Sequence, residues 1–213
     1  MLSSNYLYRY LLFFRFSIVN IIVTGIAVAI YLQGWLDDAM VGKTFWLSLA
    51  IILVFVVGLL LCGQKIWRTS IELNQVRGDR PAPLSRAGKY LTSIVDHGAE
   101  SRSTSANLLR LRMTNYISLV QHIANTLVFL GLVGTVIGFI IALSGVDPQA
   151  SISVDTVAPM VTTLVQGMSI ALYTTLIGSV LHIWLMVNYR MLATGTMHLF
   201  NTIVELGERH AKS

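Results

Sequence analysis

The stretch Gly131-Leu132-Val133-Gly134-Thr135-Val136-Ile137-Gly138 lies in the middle of an uncharged run from Ile123 to Leu143. A helix rises about 1.5 Å per residue, so a run of 21 residues is long enough to cross the ~30 Å hydrocarbon layer of a bilayer. Wound as a helix, the run places its small side chains on one narrow face: Ala124, Gly131, Gly134, Thr135, Gly138 and Ala142. Such a face lets a neighbouring backbone approach closely, so the pattern predicts a membrane helix that packs tightly against another helix.

The composition of the 213-residue chain is typical of a polytopic membrane protein. Hydrophobic residues make up 54% of it and charged residues only 12%. The single cysteine, Cys62, lies in an apolar run, which leaves no cysteine pair for a disulfide or a metal cluster. We therefore predict an all-α polytopic membrane protein with four transmembrane helices and with long helices that extend into the cytoplasm.

Four apolar runs are predicted to span the membrane, at about 16–33, 45–62, 123–143 and 164–187. Residues 1–62 then form an N-terminal interfacial segment and the first two membrane helices. Residues 63–122 form a basic cytoplasmic helical loop, residues 123–190 hold the second pair of helices, and residues 191–213 form a cytoplasmic tail. Within the loop we predict a continuation of the second helix over 64–76, a turn at 78–83, a short helix capped by Ser85 and reaching about Val95, a polar linker at 98–105 and a helix over 106–121.

The distribution of Lys and Arg sets the orientation. Fourteen of the fifteen lie in the N-terminal segment, in the 63–122 loop or between Arg190 and the C-terminus. The positive-inside rule therefore places both termini and the 63–122 loop in the cytoplasm. The same asymmetry accounts for the net charge of +5 without nucleic acid, and it leaves the inner-leaflet lipid surface as the charge-driven partner.

The fourth apolar run carries a second small and polar face, formed by Gly167, Ala171, Thr174, Gly178 and His182, with Thr175 beside it. The third and fourth helices run in opposite directions, so Thr135 and the Thr174/Thr175 pair are expected at similar depth around a common interior. The positions expected to pack are Gly131, Gly134, Gly138, Gly167, Ala171 and Gly178. Threonine hydroxyls either bind water or a cation, or bond back to a carbonyl one turn earlier, and the sequence leaves both roles open.

All ten carboxylates lie outside the four predicted spans. Proton relays through membranes normally rest on an Asp, Glu or His, so a proton or sodium path along this chain needs a carboxylate from another subunit. His182 is the one basic side chain inside a span; it is either a gate near the cytoplasmic mouth or a neutral histidine bonded to a backbone carbonyl. No motif in the sequence is typical of a catalytic, metal or phosphate-binding site, so we expect neither an enzyme nor a cofactor.

Three motifs follow one another along residues 123–190: 131–138, then Gly145-Val146-Asp147-Pro148, then 167–178. They resemble the last two membrane helices of the MotA/TolQ/ExbB family, and two spans on either side of a basic loop are similar to the four-helix MotA plan. The resemblance implies a homopentamer in the bacterial inner membrane around two copies of a single-span partner like MotB, ExbD or TolR. That partner would supply a membrane Asp, and the flow of H⁺ or Na⁺ would drive its movement.

The same resemblance assigns roles to residues. It makes 123–190 the channel-forming pair, with Thr135 and Thr175 at the pore-threonine positions and Thr174 as a further hydroxyl, as sodium-type stators often show. Ile170 stands where ExbB-like members carry a glutamate, and the loop of about 60 residues is shorter than in flagellar stators. The alternatives are a passive four-helix scaffold or accessory subunit, and a small transporter that uses His182.

Overall fold

A computed structural model describes residues 11–33, 45–77, 102–146 and 154–210, together with Ser85, Ala87, Gly88 and Tyr90. In this part of the chain there are four long helices: α1 (Leu11–Leu32), α2 (Phe45–Arg77), α3 (Arg102–Ser144) and α4 (Val154–His210). Each is long and apolar enough to cross a membrane. The predicted all-α fold with four candidate membrane helices is confirmed.

Three of the helices extend well beyond the apolar runs. The 64–76 segment continues α2 without a break, and α2 ends at Arg77. The linker was predicted to reach residue 105, and this end is wrong because α3 already begins at Arg102. Ser and Thr are tolerated in a first helical turn, where their side-chain oxygens compensate for the unbonded N–H groups. α4 runs from Val154 through the predicted tail to His210.

The cap predicted at Ser85 is present: the Gly88 N–H donates to Ser85 Oγ at 3.1 Å. The rest of that short helix, towards Val95, lies outside the described residues. So do the first ten residues, the polar link at 34–44, the turn at 78–83, and the Asp147-Pro148 end of the second motif.

Contacts divide the chain into two units, of which the first comprises Met1–Ile22, Leu59–Gln121 and Val187–Ser213. Its core is an apolar cluster made of Val76, Ala87, Tyr90, Leu109, Met113, Leu199, Ile203 and Leu206. Along α3 and α4 these residues recur at intervals of three and four, so each helix buries one face in the cluster.

Two polar contacts join helices inside this first unit. Asn20 and Asn188 form a reciprocal amide pair, in which Asn20 Nδ2 donates to Asn188 Oδ1 at 2.8 Å and Asn188 Nδ2 donates to Asn20 Oδ1 at 3.4 Å. Lys65 Nζ donates to the carbonyl of Tyr116 and lies 3.8 Å from the centroid of its ring. Asn188 and Lys65 are both buried, so these bonds satisfy polar groups that apolar surroundings would leave without water.

The second unit comprises Val23–Gly58 and His122–Met186. Within it, α2 meets both later helices at Gly58, where an added Cβ would lie 2.7 Å from Leu185 Cδ2 and 2.8 Å from Ile123 Cγ2. The rings of Phe55 and Trp184 pack beside this point, with centroids 4.8 Å apart. Close packing in this unit therefore depends on a residue that has no side chain.

Candidate functional site

The small faces of α3 and α4 meet inside the second unit, and we call this contact the glycine seam: Gly131, Gly134 and Gly138 on α3, with Gly167, Ala171, Thr174 and Gly178 on α4. A Cβ built at Gly138 would lie 2.7 Å from both Ala171 N and Gly167 O. A Cβ at Gly178 would lie 2.8 Å from Leu127 O and 3.2 Å from Gly131 Cα. Real Cβ atoms do not come within 3.0 Å of other heavy atoms, so at these positions the two backbones touch and no water fits between them.

The two helices run antiparallel through the seam. Gly138 faces Gly167 and Ala171, Gly134 faces Thr174, and Gly131 faces Thr174 through Gly178. The residue number on α4 rises as the number on α3 falls. Thr135, one residue from Gly134, therefore lies at about the depth of Thr174 and Thr175.

Thr174 is part of the seam itself. Its side chain is only 2% exposed and lies directly over Gly134, where an added Cβ would come within 2.5 Å of Thr174 Cβ. Its hydroxyl lies 2.9 Å from the carbonyl oxygen of Ile170 and 3.1 Å from that of Ala171, so it donates within its own helix. This threonine fills space between the helices and bonds back to its own backbone.

Thr175 and Thr135 lie at the edge of the seam, and both are half-buried. Thr175 Oγ1 donates across to the carbonyl of Gly131 at 3.2 Å, whereas Thr135 Oγ1 donates to the carbonyl of Leu132 on its own helix at 2.6 Å. Each hydroxyl uses its single proton in these bonds, but its oxygen keeps lone pairs that can accept from water or coordinate a cation.

His182 adds a second polar contact between α4 and α3. Its Nδ1 lies 2.8 Å from the carbonyl oxygen of Ala124 and, because a carbonyl only accepts, that nitrogen carries the proton. The ring is half-buried. The sequence left two roles open for His182, a gate near the cytoplasmic mouth and a histidine bonded to a backbone carbonyl. The structure shows the bond that belongs to the second role. In the described part of the chain no group of three or more His, Cys, Asp or Glu side chains could hold a metal ion.

The sequence placed Thr174 on the small face with Thr175 beside it, and it left a backbone carbonyl as one partner of His182. It did not identify the acceptors on α3, which are the carbonyl of Gly131 for Thr175 and the carbonyl of Ala124 for His182. Consecutive residues of a helix point about 100° apart, so which carbonyl of α3 Thr175 reaches depends on the rotation of α4 against α3. The only local indication is that both acceptor carbonyls belong to small residues, Gly131 and Ala124, past which a side chain from α4 can reach.

Large apolar side chains cover the outward sides of the two helices. On α3 they include Leu132, Val136 and Phe139, and on α4 Leu172 and Leu176, each at least half exposed. Apolar surface of this kind requires lipid or other membrane helices around it.

A sequence model of the MotA/TolQ/ExbB proton channel family matches residues 96–205, which is just over half of the chain and includes the whole glycine seam. Searches of curated proteins and of solved structures gave no match.

Proposed function

Because this chain belongs to the MotA/TolQ/ExbB proton channel family, we propose that it is the outer, stator-type subunit of an ion-driven motor in the bacterial inner membrane. Five copies of the chain surround two copies of a single-span partner similar to MotB, ExbD or TolR. Protons, or sodium ions, pass between them and drive movement of the partner. Family membership alone makes the chain a membrane proton-channel subunit rather than a member of an enzyme class.

The observation that carries the proposal is the closed glycine seam. At Gly138 and Gly167 the backbones of α3 and α4 touch, so an ion has no room to pass between the two helices of one chain. A path can only run along the outside of the pair, past the half-buried hydroxyls of Thr135 and Thr175. A path on the outside of a helix pair needs a second chain as its other wall.

The distribution of carboxylates also indicates that a second chain takes part in ion transfer. All ten carboxylates lie outside the predicted spans, and a threonine hydroxyl does not titrate near neutral pH. The group that carries the proton, or binds the sodium ion directly, is therefore an aspartate of the partner. The transported ion is the only ligand in this proposal, and no cofactor takes part.

The orientation follows from the Lys and Arg distribution. With fourteen of these fifteen residues on one side, both termini and the 63–122 loop face the cytoplasm. The single-span partner then has its aspartate at the depth of Thr135 and Thr175, near the middle of the bilayer.

A passive scaffold is the second candidate, because one observation favours it. The hydroxyls of Thr135, Thr174 and Thr175 all donate to backbone carbonyls, which is sufficient for packing alone. A transporter based on His182 has less support, because its Nδ1 is already bonded to the carbonyl of Ala124.

Replacing the edge threonines distinguishes channel from scaffold. Thr135→Val and Thr175→Val keep the shape of the side chain and remove its oxygen. If each hydroxyl contacts the ion or its water, we expect conduction to fall by about 10- to 100-fold, the equivalent of one hydrogen bond to a charged group. Conduction is measured in proteoliposomes that contain the complex isolated from its host membrane, and native mass spectrometry checks that assembly is unchanged.

Thr126→Val and Thr162→Val are matched controls. Both threonines are exposed, on α3 and α4 respectively, and each donates to a carbonyl four residues earlier at 2.9 Å. These variants should conduct like the wild type. Normal conduction in Thr135→Val and Thr175→Val as well would refute the channel assignment and leave the scaffold.

The partner is tested by composition. Native mass spectrometry of the complex should give five copies of this chain with two copies of a small single-span protein that carries a membrane Asp. The purified chain alone should leak few ions, because the carboxylate is absent. Strong proton conductance from this chain alone would contradict the assignment of the carrier to another subunit.

A further inference from the structure

A groove of about 590 Å³ lies between α1 and α2 in the first unit. Aromatic side chains form much of its wall: Phe13 and Trp67 meet edge to face with centroids 4.8 Å apart. Phe16 lies opposite Gly63, where an added Cβ would be 3.6 Å from the ring. Gly63 contributes to the groove because it has no side chain in the space beside Phe16.

The lining changes from apolar to basic along α2. Leu59 and Leu60 line one end, and Leu60 is 63% exposed. Gln64 and Arg68 line the other end, and both are exposed. From Leu60 to Arg68 the helix rises by about 12 Å, which is comparable to the distance from the upper acyl chains of a phospholipid to its headgroup.

The groove lies where α1 and α2 cross the cytoplasmic edge of the membrane in the orientation proposed above. Its lining pairs the start of α1 with the end of the second apolar run and the residues of α2 that follow it. Arg15 on α1 and Arg68 on α2 lie near this level. No residue in the Leu12–Ala29 window of α1 is fully buried, and the groove-lining Phe13 and Phe16 are half-buried, so the chain covers the groove side of this helix only in part. Trp and Arg are residues expected at headgroup depth.

We propose that this groove binds one anionic phospholipid of the inner leaflet. The phosphate lies on the guanidinium of Arg68 beside the Gln64 amide, and the acyl chains lie along Leu60 and Phe16. A planar guanidinium matches the geometry of phosphate oxygens, and basic pockets between membrane helices on the cytoplasmic side favour anionic headgroups. The proposal depends on the orientation of the chain and is independent of ion conduction.

Trp67 provides the test, since it lines the groove itself. The full chain is reconstituted in phosphatidylcholine vesicles that contain a fixed fraction of brominated lipid, either phosphatidylglycerol or phosphatidylcholine. Bromine quenches tryptophan fluorescence on contact, and subtracting the Trp67→Phe signal isolates the contribution of Trp67. We expect brominated phosphatidylglycerol to occupy the site about five-fold more readily than brominated phosphatidylcholine, the selectivity given by one basic residue at an anionic lipid.

Arg68→Gln should abolish this selectivity, and Arg68→Lys should keep part of it. Arg110→Gln is the matched control, because Arg110 is an exposed arginine of α3 in the same unit that does not line the groove. Equal quenching of Trp67 by the two lipids in the wild type would overturn the proposal in favour of ordinary annular lipid. Absence of quenching by either lipid would overturn it too, because another protein segment or a second copy of the chain then fills the groove. Conduction of the complex is measured in parallel, so failure of the lipid site and failure of the channel assignment are separate results.

Discussion

Gly138 is the position where a single methyl group tests the glycine seam most directly. In Gly138→Ala the new Cβ would lie 2.7 Å from Ala171 N and 2.7 Å from Gly167 O, both backbone atoms that cannot rotate away. Ordinary contact begins at 3.4 Å, so α3 and α4 must separate by about 0.7 Å along this direction. The same substitution at Gly25 in α1 is the matched control, because apart from the neighbouring backbone of its own helix no atom of the described chain lies within 4 Å of its added Cβ.

The expected magnitude follows from two opposing terms. Forcing an extra methyl into a close-packed contact costs about 1–3 kcal/mol. Replacing glycine by alanine in a helix stabilises the helix by up to about 1 kcal/mol through helix propensity. Because Gly25→Ala and Gly138→Ala share the propensity term, the difference between them isolates overpacking, and we expect Gly138→Ala to be the less stable by about 1–3 kcal/mol. Gly131→Ala should fall between them, since its nearest contacts are at 3.3 Å.

Unfolding in mixed micelles of mild detergent and dodecyl sulfate measures these differences. Trp184 is a suitable reporter because its ring packs on Phe55 in the same unit as the seam. The other three tryptophans are replaced by phenylalanine in the parent and in every variant. The shift in the dodecyl sulfate midpoint then gives the change in the free energy of unfolding.

The order of stability of the three variants decides whether the backbones touch in the seam. Equal stability of Gly138→Ala and Gly25→Ala would refute backbone contact in the seam, because only that contact distinguishes the two sites. A stability of Gly131→Ala below that of Gly138→Ala would contradict the register of α3 against α4.

Three further outcomes are expected. Thr174→Val should keep conduction within about two-fold of wild type, because its hydroxyl bonds only within α4. Thr175→Val should lower conduction by about 10- to 100-fold, and conduction in proteoliposomes compares the two variants. Asn20→Leu should lower the free energy of unfolding by about 1–3 kcal/mol because it removes two hydrogen bonds from the buried amide of Asn188, and the double change of both residues to Leu should recover part of the loss in the same unfolding assay. Cys62 is fully buried, so mass spectrometry should find it unlabelled by maleimide in mild detergent and fully labelled after unfolding in dodecyl sulfate; rapid labelling of the folded chain would contradict its burial.

Local pattern was enough to predict the helices and their small faces. The length of an uncharged run fixes whether a helix can cross the bilayer, and helical periodicity alone places Gly131, Gly134 and Gly138 on one side. The end of a helix depends on weaker preferences. For this reason the start of α3 at Arg102 was missed by a few residues, although the cap at Ser85 was predicted from a single side chain.

Contacts between distant parts of the chain could not be predicted in this way. Asn20 and Asn188 are 168 positions apart, and each alone resembles an ordinary polar residue near the end of an apolar run. The bond from Thr175 to the carbonyl of Gly131 depends on how α4 is rotated against α3, to which every side chain in the seam contributes. Local periodicity gives the direction of each face, and tertiary packing decides what meets it.

The seam also explains why these faces carry glycine where alanine would give a more stable helix in water. At Gly138 and Gly167 even one methyl group meets backbone atoms of the facing helix, so alanine would keep the helices apart. Because the backbones of α3 and α4 touch, no space is left between the two helices, and the half-buried side chains of Thr135 and Thr175 lie at the edge of the seam. In the proposed complex, therefore, the feature that holds α3 against α4 also keeps the ion path out of the single subunit, and the path exists only where a second chain meets that edge.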